Sequence, residues 1–182
     1  SCIDSSKLVL DEYIGLGLSD VSYFKQIRPI IKELRQPFYA FMVTLTSHVP
    51  FEMPEDKKEL GLEESLDKTK LGGYFESIHY TDKHLGNFIS SLDEEGLLDN
   101  TVVVIYGDHT GVHKYYSGEL SEIEPSEEWW FSGYNQIPLI IYSKGMKGEE
   151  ISINGGHVDI LPTVSYLMGV DEEYIAHTAM GR

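Results

Sequence analysis

Residues 101–111 read Thr101-Val102-Val103-Val104-Ile105-Tyr106-Gly107-Asp108-His109-Thr110-Gly111. A continuous β-branched run is the mark of a strand buried on both faces. This one runs straight into Gly-Asp-His and closes on a second glycine. A carboxylate and an imidazole placed side by side where a buried strand ends are good ligands for a divalent ion. Neighbouring residues on a strand face opposite ways, so both can reach one ion only where the chain turns. Gly107 and Gly111 are expected to permit that turn. The alternative is an Asx turn beside a surface histidine.

Working outward, Gln36-Pro37 leads into a second apolar run, Phe38 to Leu45, which also reads as a buried strand and ends in Thr46-Ser47-His48. A third, Pro138 to Tyr142, follows a loop-like stretch over 112–135 that carries five glutamates and the pair Trp129-Trp130. Between the first two runs lies a helical stripe: Leu71, Tyr74, Phe75, Ile78, Leu85, Phe88, Ile89 and Leu92, spaced by threes and fours, with Gly96 as its stop. Asp82 falls on that stripe, where a partly buried carboxylate is expected. Ser19-Asp20 caps a helix that Pro29 is expected to break or kink. Asp159 and Pro162 are the start signals of a last helix ending at Gly169. Strands alternating with helices predict an α/β fold: a mostly parallel sheet with helices on both faces. Ligands bind such sheets beyond the carboxyl ends of the strands. His48, Asp108 and His109 all fall at that rim.

Composition narrows the function. The net charge of −16 repels nucleic acid, and no basic patch offsets it. An anionic small substrate is compatible only with a bound cation. One cysteine, Cys2, excludes an internal disulfide and a cysteine-rich zinc site. No stretch approaches the roughly 18 continuous apolar residues of a membrane span.

Each remaining histidine carries two readings. His48 could contact an anionic substrate or act as an acid, or be a loop histidine satisfied by backbone. His113 lies four residues past His109 and could reach the same site if the loop curls back, or be solvated. His157 could reach the metal site or pack at the sheet edge. His79, His84 and His177 read as surface residues.

Taken together and in this order, Pro37 to Phe51 (PFYAFMVTLTSHVPF), Tyr74 to Gly111, Ile137 to Tyr142 and His157 to Gly169 (HVDILPTVSYLMG) resemble the sulfatase-like branch of the alkaline phosphatase superfamily. Within it they are most similar to the lipoteichoic acid synthases and related phosphoglycerol transferases. The resemblance implies an alkaline-phosphatase-like sheet. It implies Asp108 and His109 as ligands of manganese or magnesium, with His157 a further candidate, and His48 and His113 as substrate-binding positions. The implied substrate is a phosphatidylglycerol-type lipid, handled at the extracellular face of a bacterial membrane.

The family nucleophile is a threonine at a helix N-terminus, and it lies with a metal-binding glutamate in the earlier half of the domain. Residues 1–37 contain no such segment, and Thr44 and Thr46 belong to the strand before His48. The expectation is therefore an incomplete fold. Residues 1–182 are read as the C-terminal portion of one sulfatase-like domain, with 112–135 an irregular insertion. No catalytic nucleophile is expected in the chain, and the membrane anchor is expected upstream. A sulfatase or phosphodiesterase on the same fold, and a non-catalytic interaction domain, are the competing readings.

Overall fold

The computed structural model describes residues 3–111, 113–121 and 136–181, apart from the side chains of Ser5, His113, Lys114, Tyr115 and Leu120. The chain forms two compact units, one of Ser1–Leu97 with His109–Gln136, the other of Leu98–Asp108 with Ile137–Arg182.

The first unit is built on two helices. Helix α1 (Asp20–Glu33) is capped by the Ser19 hydroxyl, which accepts from the Ser22 N–H. It runs unbroken through Pro29, contrary to the expected break. Lys25 and Pro29 are both exposed, so the carbonyl that loses its donor faces solvent. Phe24, Ile27 and Ile31 are buried on the other face and anchor the helix on both sides of Pro29.

A single turn of helix, α2 (Glu64–Asp67), precedes α3 (Lys70–Glu94). Thr69 caps α3 by accepting from the Gly72 N–H. Gly96, at φ 72°, ends it, with the Leu97 N–H returning to the Leu92 carbonyl. The helix therefore starts and stops where its sequence signals lie. Phe24 of α1 stacks on Phe88 of α3, ring centroids 4.6 Å apart. The face of α3 is more polar than the stripe suggests. Ile78 is exposed, as is Asp82, whose burial was expected, while Glu76 is buried. The Glu76 carboxylate accepts from the backbone N–H groups of Glu59 (2.9 Å) and Leu60 (3.1 Å), anchoring the loop before α2. His84 is half-buried against Tyr80 rather than on the surface, and burial pushes its imidazole below the usual range.

Before α1, a tight hairpin pairs β1 (Tyr13–Ile14) with β2 (Gly17–Leu18). Ile14 packs with Met53 and Tyr80 in one cluster of the core. Phe51 and Leu71 centre another, with Tyr74, Phe75 and Tyr116 around them.

The predicted strand 38–45 is not one. Among the described residues, no backbone group of residues 38–44 joins a backbone-to-backbone hydrogen bond. Tyr39, Phe41 and Val43 are 86%, 63% and 54% exposed. The segment has the composition of a central strand and, among the described residues, no strand beside it. Residues 113–120, expected as loop, form helix α4 (His113–Leu120), kinked at Tyr116. Trp129-Trp130 lie outside the described residues.

In the second unit, β3 (Val102–Tyr106) pairs with β4 (Leu139–Ser143). The pairing is antiparallel, with Val104 opposite Ile141, which corrects the expectation of a parallel arrangement. β3 is half-buried along its whole length and β4 is mostly exposed, so no residue of the pair is fully buried. Helices α5 (Ile160–Leu167) and α6 (Glu172–Ile175) follow. Gly169, at φ 69°, closes α5 as expected, the Val170 N–H reaching the Ser165 carbonyl. Asp159 caps differently from expectation: its carboxylate accepts from the Gly156 N–H at 2.8 Å, closing the turn before α5. Among the described residues, no helix is long and apolar enough to cross a membrane.

The Glu76 anchor is testable. Glu76→Ala removes the buried acceptor of two part-buried N–H bonds, and a buried donor left without an acceptor costs about 1–3 kcal/mol. Urea unfolding is expected to show a loss of about 2 kcal/mol or more. A loss under about 0.5 kcal/mol, within the range of ordinary surface changes, would show that water replaces the carboxylate.

Candidate functional site

His48 sits on a tight turn at the end of the extended run. Its N–H donates to the Leu45 carbonyl at 3.1 Å, and its Nδ1 lies 3.1 Å from the Val49 carbonyl oxygen. A carbonyl can only accept, so Nδ1 carries the hydrogen and the lone pair of the neutral ring is on Nε2. Three residues on, Phe51 has a left-handed backbone, φ 58°, and is 4% exposed. A bulky residue in that region is strained, and such strain persists only where packing over-determines it. The packing is there. The Phe51 ring meets Tyr74 edge-on at 5.2 Å, and its carbonyl lies against Gly73, where a Cβ would come within 2.1 Å.

His109 begins the second segment of the same unit. Its Nδ1 lies 2.7 Å from the Thr110 carbonyl oxygen, which again assigns the hydrogen to Nδ1 and the lone pair to Nε2. The His48 and His109 rings stand edge to face with centroids 6.0 Å apart. These two imidazoles are brought together although 61 positions separate them in the sequence.

Asp108 belongs to the second unit, exposed, one residue beyond the Gly107 that follows β3. His157 lies in that unit too. Its Nε2 is 2.9 Å from the Gly107 carbonyl oxygen and its ring is edge-on to Tyr106 at 5.9 Å. That bond places the hydrogen on Nε2, so His157 braces the backbone immediately before Asp108. His113 is the first residue of α4, and its side chain lies outside the described residues. Among the described residues, no three or more His, Cys, Asp or Glu side chains gather as a metal cluster.

The glycines matter for a different reason from the expected one. Neither Gly107 nor Gly111 has positive φ. They are places of close approach. A Cβ on Gly107 would meet Ile137 at 3.2 Å, and one on Gly111 would lie 2.5 Å from the Tyr74 ring.

Sequence reasoning missed Asp20 and Thr46. Both are buried, at 0% and 1% exposure. Asp20 accepts from the N–H groups of Leu45 and Thr46 and from the Thr81 hydroxyl, and its own N–H donates to Thr46 Oγ1. Its place in the first turn of a helix made it read as a cap residue. No signal in a single sequence separates the two roles.

Comparison with known proteins gives the family of the chain. The Sulfatase family profile matches residues 4–170. The chain belongs to the Sulfatase family. Lipoteichoic acid synthase 1 of Bacillus subtilis (strain 168) is 35% identical over 165 residues, 90% of this chain and 26% of that protein. Lipoteichoic acid synthase of Staphylococcus aureus (strain USA300) is 32% identical over 87% of this chain and 25% of its own length. The crystal structure of the lipoteichoic acid synthase LtaP from Listeria monocytogenes superposes with a TM-score of 0.78 at 35% identity, covering 93% of this chain and 43% of that one. A protein of the alkaline phosphatase superfamily from Vibrio parahaemolyticus shares the fold at a TM-score of 0.65 and 22% identity. The chain thus spans about a quarter of the curated relatives it matches. As a Sulfatase family chain it is related to the lipoteichoic acid synthases, and its fold matches part of the LtaP fold and of the Vibrio parahaemolyticus protein's fold.

The close approach at Gly111 yields a prediction. Gly111→Ala drives a methyl into the Tyr74 ring, and overpacking of this kind costs about 1–3 kcal/mol. Urea unfolding is expected to show that loss, and the Tyr74 ring resonances to shift. An unchanged midpoint with unmoved Tyr74 signals would show that the loop yields freely.

Proposed function

We propose that this chain is the C-terminal portion of the catalytic domain of a metal-dependent phosphoglycerol transferase. The parent would act on a phosphatidylglycerol-type lipid at the extracellular face of a bacterial membrane to build a cell-envelope polymer or glycan decoration. The observation that carries the reading is the pair of imidazoles, His48 and His109, held 6.0 Å apart with lone pairs on Nε2, in a chain related to lipoteichoic acid synthases over most of its length. The unpaired apolar run 38–45 supports the portion reading, since its composition calls for strands on both sides that the described residues do not supply.

Asp108 and His109 suit a divalent ion such as manganese or magnesium. Oxygen and imidazole nitrogen are the right donor types, and the His109 Nδ1–H bond to backbone orients the ring as metal-bound histidines generally are. When bound, such an ion supplies charge to phosphoryl oxygens and lowers the pKa of a coordinated nucleophile. His48 works beside it. Neutral, its Nε2 accepts from a glycerol hydroxyl; protonated, it donates a charge-assisted bond to a phosphate oxygen. The nucleophilic threonine and the remaining ligands are assigned to sequence that the relatives have and this match does not span. His113 remains a substrate-binding candidate, and His157 a brace behind Asp108 or a further ligand.

Two measurements test this. The full-length parent with labelled phosphatidylglycerol is expected to release diacylglycerol and pass glycerol phosphate to an acceptor, and His48→Ala to lose about 100-fold or more of that rate, as removal of an electrostatic stabiliser does. Release of free glycerol phosphate to water with no transfer would assign the hydrolase reading instead. In the chain alone, calorimetry is expected to show weak Mn2+ binding that Asp108→Ala and His109→Ala each abolish. Tight binding that survives Asp108→Ala overturns the metal assignment.

A further inference from the structure

We propose that Asp20, together with Thr46, is a positioning residue for His48, a step that rests on the reading of His48 as a substrate contact. Three donors converge on the Asp20 carboxylate: the N–H groups of Leu45 (3.1 Å) and Thr46 (3.2 Å) on Oδ1, and the Thr81 hydroxyl (2.7 Å) on Oδ2. A carboxylate is acceptor-only, so it matches three donors without conflict. The contact is reciprocal, because the Asp20 N–H donates to Thr46 Oγ1 at 3.0 Å. The helix start, the middle of α3 and the turn before His48 are joined at one atom group that has no access to solvent.

The path from this clamp to His48 is one residue long. Leu45 gives its N–H to Asp20 and its carbonyl to the His48 N–H. The same residue is pressed from below by the hairpin, where a Cβ on Gly17 would sit 2.8 Å from Leu45 Cδ1. At the far end of the turn, Phe51 is fixed in its left-handed backbone against Gly73. The turn is thus held at both ends, and the short span between them sets the Nδ1–H bond from His48 to the Val49 carbonyl. Without the clamp, Leu45 and Thr46 turn their N–H groups elsewhere, the front of the turn swings free and the ring loses its single tautomer. Phe51 alone cannot hold it.

The test reads the ring itself. In a long-range proton–nitrogen spectrum, His48 of the whole chain is expected as the neutral Nδ1–H form. Asp20→Ala is expected to convert it to a mixture of tautomers, and Asp20→Asn to restore it, since the amide oxygen still accepts from the two N–H groups. Thr46→Val and Thr46→Ser form a second pair that removes and restores only the hydroxyl, and they decide the matter if Asp20→Ala does not fold. Asp82→Ala, an exposed carboxylate on α3, is the control and is expected to change nothing. A His48 signal unmoved in folded Asp20→Ala, or unmoved in Thr46→Val, overturns the proposal. In a separate arm, glycerol phosphate with Mg2+ is titrated into each protein. Wild type is expected to show shifts at His48, and Asp20→Ala to bind about 10-fold more weakly or worse, as small displacements of positioned groups do. No shift at His48 in wild type removes the substrate role of His48, while the tautomer spectra still decide whether Asp20 positions it. Equal affinity in wild type and Asp20→Ala overturns the positioning role even if the tautomer moves.

Discussion

The first unit is organised by a carboxylate sealed from water. Burying an ion is costly unless each of its lone pairs meets a donor. Asp20 is offset by three donors from two separate parts of the chain. The arrangement constrains more than stability. Because Asp20 opens α1 and Thr81 lies in α3, their bond fixes the relation of the helices at the same point that fixes the turn of Leu45 and Thr46. The Phe24–Phe88 stack then adds contact along the helix pair, but stacking is tolerant of small slides. A set of short bonds to one carboxylate is not.

How much of this the sequence discloses depends on whether a feature is set locally. Helix α3 is legible because its apolar spacing and its stop at Gly96 both lie within or beside the element and agree. The end of α5 at Gly169 is legible for the same reason. Pro29 misleads, since a missing N–H breaks a helix only where the freed carbonyl cannot reach water, and here it can. The strands mislead in another way. An apolar run states that a segment prefers neighbours on both faces. It does not state whether the neighbours are present or which way they run. Phe38 to Leu45 has none among the described residues, and β3 and β4 pair with each other antiparallel.

The site divides along similar lines. His48 and His109 were nominated by position at the ends of apolar runs, and they do meet, because the ends of extended segments are where the backbone is forced to turn and side chains to converge. Asp20, Thr46 and Glu76 gave no such sign. A buried acid in a first helical turn, or on a helix face, carries the same letter as a solvated one. Only the donors aimed at it tell them apart, and those come from residues 25, 26 and 61 positions away for Asp20 and 16 or 17 for Glu76.

Charge is the last constraint on the functional reading. At a net charge of −16 the chain repels a phosphate-bearing ligand. Lys70 is the cation placed at the turn that follows His48, and it is already engaged: its Nζ reaches the Pro50 carbonyl at 3.3 Å and the Glu52 carboxylate at 3.4 Å, and it stands over the Tyr116 ring. A lysine held by a neighbouring acid contributes little field to a ligand beside it. An anionic ligand beside this turn would therefore need a bound cation to offset the charge. The acidity of the chain and the need for a counter-charge are thus two sides of one electrostatic constraint on any anionic ligand.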